Sequence, residues 1–169
     1  MDQNTENKSE YRDRLINFYN NNKIKIYSSI SLVLIALIVF IFVQHGKEQK
    51  NISIAEKYVE AGLLISSNKK ENAKTLYEEI ILSKNSFYSI LSLNKIIEKN
   101  LIVDENKILD YFKILEKSPA AKENRDLIFL KKALYLIKIS NTKAANEILK
   151  NLIEKNSYFK SVAQELIKK

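Results

Sequence analysis

The feature that most constrains this chain is a run of 21 uncharged residues between Lys25 and Lys47. As a helix, the run would be about 31 Å long, which is close to the hydrocarbon thickness of a bilayer. Its centre, from Leu32 to Val43, is apolar on every side, whereas a surface helix of a soluble domain carries a polar stripe. The run therefore predicts a transmembrane helix over residues 26–46.

Two other structures are compatible with such a run: a core helix buried in a soluble domain, and a cleaved signal peptide. The apolar core of a signal peptide is usually only about 7 to 15 residues long and ends at a small-x-small site. The end of this run, Val43-Gln44-His45-Gly46, has no such site. We therefore expect an uncleaved membrane anchor.

Basic residues are more frequent before the predicted span than just after it. Membrane proteins keep an excess of Lys and Arg on the cytoplasmic side of a span. We therefore expect a single-pass protein of a bacterial inner membrane, with its N-terminus in the cytoplasm and its C-terminal domain in the periplasm. The basic residues are Lys8, Arg12, Arg14, Lys23 and Lys25 before the span and Lys47, Lys50 and Lys57 after it.

Residues 1–25 form the cytoplasmic segment in this scheme. Ser9 suits the N-cap of a short amphipathic helix that would lie on the inner membrane face. Tyr19 and Tyr27 suit the membrane interface, where aromatic rings are enriched. The apolar residues of this predicted helix are Tyr11, Leu15, Phe18 and Tyr19.

Glycine and proline are nearly absent, with two glycines and one proline in 169 residues. Tight β-hairpin turns depend on glycine, whereas the abundant Leu, Ile, Lys, Glu and Ala are found mainly in helices. The composition therefore predicts an all-α fold. The chain also has no cysteine, which excludes disulfides, thiolate metal sites and a cysteine nucleophile.

The formal net charge is +8, which raises the possibility of nucleic-acid binding. The excess comes from 25 Lys, against 3 Arg, in a chain that is also rich in Ile and Asn. After residue 46, 23 basic residues are scattered among 16 acidic ones. Since a nucleic-acid-binding surface gathers its basic residues into a patch, we predict no nucleic-acid partner.

After Lys50, apolar residues recur at helical spacing and are interrupted by Asn, Ser, Lys and Asp, which predicts seven helices of about 12 to 18 residues. Residues 84–90, KNSFYSI, are similar to residues 155–161, KNSYFKS, 71 positions later. Two units of about 35 residues fit this offset. A period near 34 to 36 with two helices per unit is typical of tetratricopeptide repeats.

One predicted helix precedes residues 84–90 and another precedes residues 155–161. Both have apolar residues at positions i, i+3, i+4, i+7 and i+8. A predicted helix between them carries a degenerate copy of this pattern. Pro119 follows the middle copy and suits its end. The matching positions are Ala73, Leu76, Tyr77, Ile80 and Ile81; Ile108, Tyr111, Phe112 and Leu115; and Ala145, Ile148, Leu149, Leu152 and Ile153.

Residues 47–169 are therefore predicted to form a tetratricopeptide-like α-solenoid, with three hairpins over residues 52–155 and a capping helix over 157–168. The alternative is a generic helical bundle whose internal similarity is accidental. Small residues allow helices to approach closely. The positions predicted to pack the repeats together are Gly62, Ala73, Tyr77, Ala133, Ala144 and Leu149.

Side chains for catalysis or metal binding are scarce. The only histidine, His45, lies at the edge of the predicted span, and the chain has no glycine-rich phosphate loop, nucleophile elbow or metal-ligand spacing. We therefore predict no enzymatic activity, no cofactor and no metal. Asp104 and Glu105 suit a helix start, and the aromatic residues Tyr58, Tyr77, Phe87, Phe112, Phe129 and Tyr135 are predicted to pack in the core.

The order of these features resembles the YfgM-like family of ancillary Sec translocon subunits. The most telling part is residues 10–19, EYRDRLINFY, which are similar to the lead-in of that family, with Tyr19 in place of its tryptophan and Asn22-Lys23 in place of its usual Tyr-Gly. Residues 125–127, 133–134 and 158–165 look like the later repeat helices of the family. The chain ends earlier than many members of the family.

The resemblance implies a tetratricopeptide-like scaffold on a single anchor, which binds the Sec translocon, a periplasmic chaperone or client chains, with self-association also possible. Two alternatives stay open: an envelope-assembly or cell-division adaptor without translocon contact, and an accessory domain of an enzyme such as an isomerase anchor. Crosslinking separates the first two hypotheses, and the third requires an adjoining catalytic domain.

Overall fold

The computed structural model describes the backbone of residues 3–168, and side chains within 11–168 except those of 13, 15, 26, 120 and 121. This part of the chain contains seven helices and no strand, so the prediction of an all-helical fold is confirmed. The helices are α1 (Gln3–Ser66), α2 (Lys70–Leu82), α3 (Tyr88–Glu98), α4 (Glu105–Glu116), α5 (Ala120–Lys138), α6 (Thr142–Glu154) and α7 (Lys160–Ile167).

Helix α1 is longer than the sequence predicted. It begins well before Ser9, so a separate short helix capped by Ser9 is wrong, and it continues past Gly46 into the first helix of the C-terminal domain. The reason is that no proline lies between Gln3 and Ser66, and neither glycine has a positive φ. Without a breaker, the helical backbone hydrogen bonds continue.

None of the apolar part of α1 is buried. One 18-residue window has a mean hydropathy of 2.3 and is long enough to cross a membrane. The large apolar side chains from Leu32 to Val43 are 50–74% exposed. The alternative of a core helix buried in a soluble domain is therefore wrong for this segment. The chain divides into two compact units, with the boundary between Gln49 and Lys50.

In the second unit, the end of α1 and the six following helices provide the seven helices predicted after Lys50. Asp104 caps α4 as predicted, because its carboxylate accepts hydrogen bonds from the backbone N–H groups of Asn106 at 2.9 Å and Lys107 at 3.3 Å. Pro119 lies between α4 and α5, where it ends one helix and precedes the next.

Several helices end at an asparagine with a left-handed backbone, a position that glycine usually occupies. Helix C-termini commonly need one residue with left-handed backbone, and asparagine adopts this conformation more readily than most residues. At the end of α1, Asn68 has φ 58°, its N–H donates to Ile65 O at 3.0 Å, and the next N–H donates to Leu64 O at 2.8 Å. Within residues 3–168, the left-handed residues are Asn68, Lys84, Asn100, Ser140 and Asn156.

The buried residues of the second unit form two apolar clusters that share α5. The first cluster joins α1 to α5 and includes Ile128 and Tyr135. The second joins α5 to α7 and includes Leu130 and Ala133. Because α5 contributes opposite faces to the two clusters, it is the central helix of this unit.

The two halves of this unit repeat the same backbone geometry. Left-handed residues end the corresponding helices at an offset of 72, from Asn68 to Ser140 and from Lys84 to Asn156. The aromatic pairs that follow are offset by 71: the rings of Phe87 and Tyr88 meet edge-on at 5.1 Å, and those of Tyr158 and Phe159 at 5.3 Å. The loop is therefore one residue shorter in the second half.

One feature of this local structure recurs 35 residues after the end of α2. The Ser83 hydroxyl donates to Ile80 O at 2.7 Å, and the Ser118 hydroxyl donates to Leu115 O at 2.7 Å. These matching serine caps follow α2 and α4, but among the described residues no positive φ follows α4. The middle hairpin thus shares only part of the repeated geometry.

Candidate protein-binding groove

A groove lies between α3 and α5 and has a volume of about 420 Å³. The end of α5 is tied to the end of α3, because Lys138 Nζ donates to Ile97 O at 3.2 Å and to Asn100 Oδ1 at 3.0 Å. Asn100, one of the two acceptors, is a left-handed residue with φ 48°. The lining residues are Asn94, Ile97, Glu98, Lys131, Leu134, Tyr135 and Lys138.

The apolar surface of the groove rests on rigid packing. Leu134 is 43% exposed, although its neighbours Ala133 and Tyr135 are buried. Tyr135 packs against Phe112 of α4, with ring centroids 6.0 Å apart. The buried neighbours fix the backbone at Leu134, so α5 presents this leucine at a defined place on the groove surface.

The groove carries more positive than negative charge. Lys131 is half-buried, burial lowers the pKa of its ammonium group, and it has no ion-pair partner among the described residues. On the other wall, hydrogen bonds from Lys95 at 2.9 Å and Lys99 at 3.0 Å hold the pKa of Glu98 below its usual value. The one acidic residue of the groove is thus already paired, whereas Lys131 is not.

The groove continues past the contact of Lys138 with α3. A second hollow of about 190 Å³ lies there, between the α3–α4 loop and α5. Its rim includes Val103, which is almost fully exposed, and Ile102 and Ile139 add apolar surface. Together the two hollows give an apolar surface that follows the C-terminal half of α5.

A separate hollow of about 430 Å³ lies at the start of α5. Here Asn124 interrupts the helical backbone with φ −120° and ψ 20°, and Ser157 donates a 2.5 Å hydrogen bond to Asp126. Tyr158, 94% exposed, forms part of the wall. The corresponding Phe87 of the first aromatic pair is 61% exposed, so each pair presents one ring to solvent.

The residues predicted to pack the repeats lie as follows. Ala73, Tyr77, Ala133 and Leu149 are buried. Gly62 and Ala144 are only half-buried, and a Cβ placed on Gly62 would meet no atom within 4 Å. In both cases the fully buried residue is the neighbour, Ala61 or Ala145.

Most of the aromatic residues predicted to pack in the core do so. Tyr77, Phe112 and Tyr135 are buried, and Tyr58 and Phe129 are half-buried against the two clusters. Phe87 is the exception, since it is exposed at the start of α3 and rests on the ring of Tyr88. The predicted core position of Phe87 is wrong because its loop lies before the first turn of the helix.

The groove residues Lys131, Leu134 and Lys138 were not among the sequence predictions. The sequence does contain a signal for them, because a leucine with lysines three residues before and four after forms one helical stripe beside the buried Ala133. The α3 wall gives no such signal, since Asn94 and Glu98 are ordinary surface residue types.

Among the residues that the structure describes, no group of three His, Cys, Asp or Glu side chains is placed to hold a metal ion. No protein-family model, no curated protein and no solved structure matches the chain.

Proposed function

We propose that the protein is a membrane-anchored scaffold of the tetratricopeptide type, which binds protein partners at the periplasmic side of the Sec translocon and assists the biogenesis of secreted or membrane proteins. It acts without enzymatic chemistry. The observation that carries the proposal is the combination, in one chain, of an exposed apolar helix and a repeated helical domain with a preformed groove. The resemblance of residues 10–19 to the YfgM-like family supports the translocon as the partner.

The exposed apolar helix supports the anchoring role. Eleven large apolar side chains from Leu32 to Val43 would face water if the segment were in solution. Surfaces of this kind are stable in lipid, where apolar side chains are favoured and the helix satisfies its own backbone hydrogen bonds. The excess of basic residues before the span favours a periplasmic position for the C-terminal domain.

The helical hairpins support the binding role. Stacked hairpins present extended surfaces to protein ligands, and the α3–α5 groove offers an apolar strip with polar edges. A groove of this size predicts weak individual contacts. Anchoring the domain beside its partners raises their effective concentration, so that weak contacts suffice.

The test is purification of the intact, tagged protein from crosslinked membranes. We expect Sec components to copurify with the native chain. They should no longer copurify when residues 26–46 are exchanged for an unrelated span. If the native chain recovers septal or other envelope proteins and no Sec components, the translocon role is wrong and the adaptor alternative is favoured.

A groove variant separates the domain's role from that of the span. Leu134→Glu places a charge in the groove, whereas Leu82→Glu places the same charge on α2 at a leucine of similar exposure. We expect the first variant alone to lose periplasmic partners while both keep Sec components. Equal loss in the two variants would contradict a binding role for the groove.

A further inference from the structure

The last part of α1 has an exposed apolar face opposite its buried face. Ile52, Val59 and Leu63 are 45%, 62% and 64% exposed and lie on one side of the helix. Ile54 and Ala61, on the other side, are buried in the first apolar cluster. We call Ile52, Val59 and Leu63 the α1 stripe. Single exposed apolar residues are common, but three in one row form an apolar patch of the kind found at protein–protein or membrane interaction sites.

The internal repeat shows what kind of surface the α1 stripe is. At the offset of 72, Leu63 of α1 corresponds to Tyr135 of α5, Val59 to Lys131 and Ile52 to Asn124. Tyr135 is buried and packs against Phe112 of α4, whereas Lys131 and Asn124 are half-buried. This row of residues is thus more buried on α5 than on α1, and on α5 the preceding hairpin covers the position that corresponds to Leu63. Among the described residues, no helix covers the equivalent face of α1, although terminal repeats usually present a polar outer face.

The border of the α1 stripe is acidic. Glu56 and Glu60 are exposed beside Val59, and neither forms an ion pair within the described part of the chain. Lys57, the nearest lysine, is instead paired with Glu79 at 2.8 Å on the side of α2. The surface that fits the stripe is therefore apolar with basic residues beside it.

The α3–α5 groove has this chemistry. Lys131 and Lys138 lie two helical turns apart on α5, about 10 Å along the axis, with Leu134 between them. Lys131 is half-buried without a carboxylate partner, and an anionic group brought into the groove would compensate its lost hydration. The groove and the α1 stripe are thus complementary in both apolar surface and charge.

We propose that the α1 stripe of one copy of this protein docks into the α3–α5 groove of a second copy. Pairing of two α1 stripes is less favourable, because parallel helices in one membrane would bring Glu56 and Glu60 close to the same residues of the partner. The contact joins two different surfaces, so a pair of copies keeps one free groove on one copy and one free stripe on the other. Such contacts build rows or rings of copies in the membrane plane.

This proposal does not depend on the translocon role, and the absence of cysteine allows a direct test. Full-length copies that carry Val59→Cys and Leu134→Cys, with different tags, are expressed together and oxidised in native membranes. We expect a disulfide between the two tagged copies. Leu82→Cys in place of Leu134→Cys is the control, since it is similarly exposed on α2 and should not crosslink. Absence of the mixed disulfide, or a Val59→Cys disulfide between identical copies, would overturn the proposal.

Charge reversal tests the complementarity itself. Lys131→Glu with Lys138→Glu in the groove copy should lower the mixed crosslink about tenfold. Glu56→Lys with Glu60→Lys in the stripe copy should have a similar effect, and combining the two reversed copies should restore crosslinking. Far-UV circular dichroism of each full-length variant checks that the helices are intact. If the reversed pair stays as weak as either single reversal, the proposed ion pairing is wrong.

Discussion

The hydroxyl of Tyr111 donates a 2.9 Å hydrogen bond to Glu78 Oε1 and so connects α4 with α2 across the first apolar cluster. Lys107 contacts the same carboxylate oxygen at 2.5 Å, which gives Glu78 two partners from α4. The first two hairpins are therefore joined by a charged, partly buried bond as well as by apolar packing.

Replacing Tyr111 by Phe should lower the free energy of unfolding by about 1.5 kcal/mol, since a hydrogen bond to a charged group is lost while the ring stays in place. Denaturant unfolding of the full-length protein in detergent, followed by circular dichroism, measures the change. Tyr158→Phe is the control, because that hydroxyl belongs to an almost fully exposed side chain. Equal stability of the two variants would contradict the role given to the Tyr111–Glu78 bond.

Stability should fall as the pH rises above about 10. Burial and the Glu78 hydrogen bond raise the pKa of Tyr111, and burial raises the pKa values of Tyr77 and Tyr135. Unfolded tyrosine loses its proton near pH 10, while these folded tyrosines keep theirs, so the unfolded state binds fewer protons and is favoured as the pH increases. Unfolding measured between pH 8 and about 11.5 should show the decline, and the decline should be shallower in Tyr111→Phe. A flat profile would contradict the raised pKa values.

Exchanges at two adjacent positions of α1 should have opposite effects. Gly62→Ala should raise stability by about 1 kcal/mol, because the added Cβ meets open space and alanine favours the helix. Ala61→Leu should lower stability by about 1 to 3 kcal/mol, because Ala61 is fully buried and a larger side chain overpacks the core. Thermal unfolding of both variants checks the pair. If Gly62→Ala lowered the stability and Ala61→Leu did not, Gly62, and not Ala61, would lie at the helix contact.

Lys84 offers a test of the left-handed helix ends. It has φ 57°, a backbone conformation that costs a lysine more than a glycine, so Lys84→Gly should stabilise the protein by about 0.5 to 1 kcal/mol. Lys155, one residue before the corresponding left-handed residue Asn156, has φ −76°, and Lys155→Gly should be neutral or destabilising. Chemical denaturation of the two variants distinguishes them. Stabilisation by Lys155→Gly alone would be inconsistent with this backbone geometry.

Local sequence signals predicted much of the fold. The helical spacing of apolar residues placed Ile108, Phe112 and Leu115 in the core, and Asp104 was a recognisable cap. The repeat was visible in the sequence at an offset of 71. The structure adds an offset of 72 for the helix ends, because one loop is a residue shorter in the second half. These features depend on neighbouring residues, which a single sequence displays directly.

Other features depend on contacts between distant residues. Ala61 and Gly62 are both small, and only packing decides that Ala61 faces the core. The continuity of α1 past Gly46 reflects the absence of a breaker, whereas the sequence pattern changes there from a lipid-like run to an amphipathic one. The α3–α5 groove combines residues about 35 positions apart, such as Ile97 and Lys131, and no local pattern joins them.

We propose that one membrane helix displays the helical domain in the periplasm. Because the chain has no cysteine, single cysteines at Asn20 and Val103 report on the two sides of the predicted span. Spheroplasts that carry Asn20→Cys or Val103→Cys are treated with a membrane-impermeant maleimide before or after lysis. We expect Val103→Cys to be labelled in intact spheroplasts and Asn20→Cys to be labelled only after lysis, with both proteins resistant to carbonate extraction. Labelling of Asn20→Cys alone before lysis, or release of the protein by carbonate, would contradict this proposal.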